Sequence, residues 1–174
     1  MTVDPGPELG EMLYNWEGTD LNGQTVVLEF PRRRDLFLFF LSPHCTVCTE
    51  LMPAARSFIR EISDRAETMT VMTHGSRQLQ REYSTAHQLN EYHVLQEEEL
   101  PEGWYVGGAP FGIWVERTGK VLAKGMVDRR EHLESLKNAA DLGLPTMQSL
   151  QADRTRPSGD TSVDESADET ARSL

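Results

Sequence analysis

The 174-residue chain is short of cysteine, of positive charge and of long apolar runs, and each shortage removes possibilities. Lys and Arg number 17 against 28 Asp and Glu, for a formal net charge of −11. Phosphate backbones are bound by basic faces, so nucleic acid is not an expected partner. The one basic cluster, Arg32-Arg33-Arg34, reads as a solvated loop between two strands. No segment reaches the roughly 18 apolar residues of a membrane span. The first residues, MTVDPGPELGEML, have neither a basic start nor an apolar centre, so they do not read as a signal peptide. As written, the chain is expected in the cytoplasm. A start lying upstream would instead give an extracytoplasmic or periplasmic, membrane-anchored protein, and a membrane becomes a partner only if an anchor is missing from this chain. No internal repeat and no nicotinamide or flavin fingerprint is found, so no cofactor is expected.

What is present suffices for one domain with a real core, at 38% apolar residues. Residues 1–25 are rich in turn formers and read as an N-terminal extension and first turn. Val26–Phe30 reads as a strand, and the unbroken run Leu36–Leu41 as a strand buried on both faces. Ser42-Pro43 ends that strand, and a helix is expected from about Cys45 to Asp64, with Pro53 inside it as a kink. A strand at 69–73, a helix from Ser76 to about Leu89 with Leu79, Tyr83 and Ala86 on one side, and a short strand at 93–95 follow. Strands at 110–115 and 120–127 flank a turn at 116–119. A last helix from about Arg129 to Leu142 carries Leu133, Leu136 and Ala140 and stops at Gly143 and Pro145. Residues 147–174 hold too few apolar side chains to offset the entropy of ordering, and read as a disordered acidic tail. Apart from the short strand at 93–95, the order β-β-α-β-α-β-β-α indicates an α/β domain with a mixed sheet.

The two cysteines, Cys45 and Cys48, admit three uses. As a structural staple they would close a tiny loop, worth about 2 kcal/mol in the chain-entropy account, which a domain of this size does not need. As half of a structural zinc site they lack a second cysteine pair; His87 and His93 are the nearest substitute. Metal is therefore not expected. As a reactive dithiol they need only proximity, an accessible first sulfur and a force that favours its ionised form. A helix start supplies that force through its free N–H groups and dipole, settings that bring thiol pKa values from about 8.5 into the range of roughly 3.5–7.5. Cys45 is then the attacking thiol, tuned or merely preceded by His44, and Cys48, one turn inside, resolves the mixed disulfide.

The placement strand–C-x-x-C–helix in an α/β chain resembles the thioredoxin superfamily. Four features coincide in order: the buried strand before Cys45-Thr46-Val47-Cys48, Pro53 five residues after the second cysteine, Tyr105-Val106-Gly107-Gly108-Ala109-Pro110 as the approach to a cis proline, and Gly119-Lys120-Val121 in the last hairpin. The match spans 8–143 and implies a thioredoxin-like three-layer sandwich, a mixed central sheet flanked by helices. Within the TlpA-like branch, LFLFFLSPHCTVCTELMP and KGMVDRREHLESL resemble the MauD family of methylamine utilisation proteins. That resemblance implies a thiol–disulfide oxidoreductase that matures a disulfide-rich client, such as the methylamine dehydrogenase small subunit. A redox partner protein would supply or accept electrons. It also implies that Ala109 and Pro110 shape the client groove, where the Ala109 backbone pairs with an extended peptide. The chain departs from thioredoxin at Phe39, where that protein has a buried Asp, and from the family's usual membrane-anchored start.

Trp104 and Tyr105 are expected to pack against the sheet edge rather than form a lip. Glu50 and Glu61 read as a solvated helix face, and Glu97-Glu98-Glu99 as a charged turn without a ligand. Two other functions compete. Ser42-Pro43-His44-Cys45-Thr46 with Glu50 echoes a peroxiredoxin phrase, which would make the protein a thiol peroxidase. A non-enzymatic client-binding or metal-carrying module on the same fold is the other.

Overall fold

The computed structural model describes residues 5–142. The expected helix stop at Gly143 and Pro145 and the expected tail at 147–174 lie outside the described residues. Seven strands and three helices follow in order: β1 (Trp16–Thr19), β2 (Thr25–Leu28), β3 (Asp35–Leu41), α1 (Thr46–Glu61), β4 (Ala66–Met72), α2 (Arg77–Ala86), β5 (His93–Gln96), β6 (Phe111–Val115), β7 (Val121–Met126) and α3 (Arg130–Leu142). Short 3-10 turns at Leu89–Glu91, Glu97–Glu99 and Glu102–Trp104 join them.

β3 is central in a five-stranded mixed sheet of order β5-β4-β3-β6-β7. It runs parallel to β4 and antiparallel to β6, with Phe40 opposite Phe111. Its apolar run is continuous because both faces are covered. Phe37, Phe39 and Leu41 face a core shared with α1 and α3, while Leu36, Leu38 and Phe40 face a second core with Val26, Leu28 and Trp104. All six are fully buried, each contributing about 1.5–3 kcal/mol by removal from water.

The strand expected at 26–30 forms at 25–28 but stays out of the main sheet. It pairs antiparallel with β1, Trp16 opposite Leu28, as a separate hairpin over the second core. β1 was hidden in a stretch dominated by turn residues. Ahead of it, residues 10–13 cover the exposed edge of β7: Gly10 N–H donates to Val121 O at 2.8 Å, Val121 N–H to Glu11 O at 2.9 Å, and Leu13 N–H to Gly119 O at 2.8 Å. The buried ammonium of Lys124 anchors the strap further back, donating to Pro5 O at 3.0 Å and Pro7 O at 2.8 Å.

Of the side expected from its pattern, α2 buries Tyr83 but leaves Leu79 half-buried and Ala86 exposed, and it buries Gln80 and Ser84 instead. Gln80 can be interior because both ends of its amide are satisfied. Nε2 donates to His74 O at 2.7 Å, and Oε1 accepts from Gln96 at 3.0 Å.

Candidate active site

β3 ends where β6 begins, so the segments 42–48 and 105–110 meet at one end of the sheet. Cys45 is the N-cap of α1 with extended backbone (φ −100°, ψ 107°), and its sulfur takes the place that a Ser or Asp oxygen fills in other helices. Cys48 N–H donates to Cys45 Sγ at 3.0 Å. The turn into the helix is closed by Cys45 N–H to Ser42 O at 3.1 Å and His44 N–H to Ser42 Oγ at 3.2 Å. An N–H aimed at sulfur stabilises negative charge there, and the helix start adds to it.

The two thiols differ in surroundings. Cys45 is half-buried, Cys48 fully buried, and both are free. Burial pushes the Cys48 thiol well above the ordinary thiol range. Its hydrogen bond to Cys45 pushes the same way, against a smaller opposing contribution from the Ser42 backbone. Pro53 lies within α1, where its missing N–H removes one helix bond.

Opposite the pair, the Ala109–Pro110 peptide is cis. The Cys45 thiol lies 3.7 Å from Ala109 O, to which it donates. Pro110 is buried and Ala109 half-buried. The structure thus brings Cys45, Cys48, Ala109 and Pro110 together. His44 is adjacent in the chain and exposed to solvent.

Sequence reasoning missed Glu97. It is no idle charged turn, because its Oε2 accepts Val106 N–H at 2.7 Å and Gly107 N–H at 2.9 Å, gripping the loop that leads to Ala109. Tyr83 was seen only as an apolar helix residue. Its hydroxyl lies 3.2 Å from Thr49 Oγ1, and burial raises its phenol pKa, with the Thr49 bond opposing and the two cysteines adding. Trp104 packs as expected, 5.2 Å from Tyr14 between ring centroids, but Tyr105 stays 37% exposed, with its hydroxyl donating to Glu98 O. Glu50 and Glu61 are both exposed, as a solvated helix face requires, and Glu61 also pairs with Arg130 at 2.5 Å. Of the three arginines, Arg32 is drawn inward onto Glu67 rather than left in solvent. Among the described residues, no group of three or more His, Cys, Asp or Glu is arranged to hold a metal ion.

Two curated relatives are both methylamine utilization protein MauD. That of Paracoccus denitrificans is 31% identical over 160 residues, covering 90% of this chain and 78% of the relative. That of Paracoccus versutus is 30% identical over 158 residues, with the same coverage. The chain belongs to the MauD family. No protein-family model matches the chain. Among solved structures, a thiol:disulfide interchange protein from Bacteroides sp. superposes with a TM-score of 0.61 at 18% identity, covering 78% of this chain and 91% of that one. The fold of this MauD family member is therefore thioredoxin-like. Its Phe39, in β3, is fully buried in the core beside α1.

Proposed function

We propose that the chain is a thiol–disulfide oxidoreductase acting on protein clients through Cys45 and Cys48. One observation carries this reading: a half-exposed cysteine caps a helix, its sulfur receiving the N–H of a buried second cysteine one turn on. In the reducing direction the Cys45 thiolate attacks one sulfur of a client disulfide. A new S–S bond forms, the client bond breaks, and one client thiolate leaves. Cys48, once deprotonated, attacks Cys45 Sγ and expels the second client thiolate. The client gains two electrons, and the protein is left with a Cys45–Cys48 disulfide. The reverse sequence oxidises a client dithiol. The reduction potential selects the direction, and a redox partner protein resets the pair.

The family membership supports a client in methylamine utilisation, and a disulfide-rich one such as the methylamine dehydrogenase small subunit fits this chemistry. A client of that kind persists where disulfides persist, which favours an extracytoplasmic site of action over the cytoplasm. Fractionation of cells producing the tagged chain tests that placement.

The activity is tested with a Cys48→Ser variant, which cannot resolve a mixed disulfide. Mixed with a disulfide-bridged peptide, it accumulates a covalent adduct that dithiothreitol releases. An unmodified variant after prolonged incubation overturns the reading.

A further inference from the structure

The loop 105–110 presents backbone to the dithiol, yet no regular ladder holds residues 105–109. Gly107 adopts a left-handed conformation (φ +67°), and Gly108 has open space where a side chain would sit. Such a segment needs fixing from outside. Four bonds do this: Gly6 N–H to Tyr105 O at 3.0 Å, Tyr105 hydroxyl to Glu98 O at 3.2 Å, and the paired bonds from Val106 and Gly107 N–H to the single oxygen Glu97 Oε2, at 2.7 and 2.9 Å. The Glu97 pair is the strongest of these, since both bonds are charge-assisted. It is also the last restraint before Ala109, whose carbonyl lies 3.7 Å from Cys45 Sγ.

We propose that Glu97 is the positioning residue of the client-binding loop, fixing the Ala109 backbone so that a polypeptide disulfide is delivered to Cys45. This rests on the oxidoreductase reading above. Glu97 touches neither cysteine. It acts on the backbone that an extended peptide would pair with, and so distinguishes a polypeptide client from a small disulfide that needs no such pairing. A displacement of about 1 Å at a docking group can cost as much as about 100-fold in rate.

The test uses the reduced wild-type chain and the variants Glu97→Ala, Glu97→Gln and Glu97→Asp. Each is reacted with a disulfide-bridged peptide and with hydroxyethyl disulfide, and thermal melts confirm folding. In both reactions the protein dithiol becomes a disulfide and the reagent becomes two thiols. E97A is expected to react with the peptide about tenfold or more slowly and with hydroxyethyl disulfide within about twofold of wild type. E97Q, whose amide oxygen accepts the same two N–H groups, stays within about threefold on both. E97D, one methylene short of the loop, falls between, and with E97Q it carries the test should E97A not fold. Equal slowing on both reagents, or none on either, overturns the positioning role while leaving the dithiol chemistry standing. A wild-type chain inert to both reagents overturns the oxidoreductase reading and this one with it.

Discussion

The two walls of the dithiol site are built in different ways. The turn of the helix-start wall, residues 42–48, is closed by bonds that reach two or three residues, Cys45 to Ser42, His44 to Ser42 and Cys48 to Cys45, and a long-range bond from Cys45 Sγ to Ala109 O joins it to the opposite wall. The loop wall, residues 105–110, is held from far off. Glu97 grips it across nine and ten residues, and Gly6 ties in from the other end of the chain. The nucleophile is thus made locally, whereas the surface that meets a client is assembled by the whole fold. Changes at the first wall should strike the chemistry with every disulfide. Changes at the second should strike recognition of large clients.

The largest effect belongs to the first wall. Cys45→Ser abolishes exchange with peptide and small disulfides alike, read as dithiothreitol-coupled reduction of an insulin-like substrate. Next comes the strand that positions both walls. Phe39→Ala removes a fully buried ring from the core beside α1 and is expected to cost about 3–5 kcal/mol, measured by denaturant unfolding.

A third effect separates the two sulfurs by pH. Burial raises the Cys48 thiol pKa in the folded chain, so folding favours its protonated form. Stability from this group is complete below the unfolded thiol value of about 8.5 and declines as pH rises above it, because the unfolded chain then releases a proton the folded one retains. The reduced wild type should therefore lose stability more steeply than Cys48→Ala above that pH in thermal melts. Resolution of the mixed disulfide should also quicken with rising pH through the neutral range. The smallest effect is Ser42→Ala, which removes the acceptor of His44 N–H and should cost about 1 kcal/mol without altering the peptide-to-small-disulfide rate ratio.

The same division decided what could be read before the structure. The six apolar residues of β3, the Pro43 break and the cysteine spacing are local patterns. They placed strand, nucleophile and helix start to within a residue: α1 begins at Thr46 with Cys45 as its cap. The long-range contacts left no such trace. Glu97 looked like any acidic turn because its partners are backbone amides, which are the same in every residue. Lys124 looked like a polar strand residue, yet its partners Pro5 and Pro7 lie 119 and 117 residues away. Gln80 broke the apolar pattern of α2 because a doubly bonded amide replaced an apolar contact. β1 was obscured by Gly18, over which the Trp16 ring lies so closely that a Cβ there would sit 2.3 Å from it. That short strand pairs with β2 alone, outside the five-stranded sheet.

Cys45 is the reachable sulfur at the helix start, and Cys48 is the shielded one. Limited alkylation of the reduced, folded chain with iodoacetamide at neutral pH, followed by peptide mass mapping, tests it most directly. Cys45 is expected to take the label first, with Cys48 modified only after denaturation. Equal labelling of the two, or Cys48 ahead of Cys45, would contradict it.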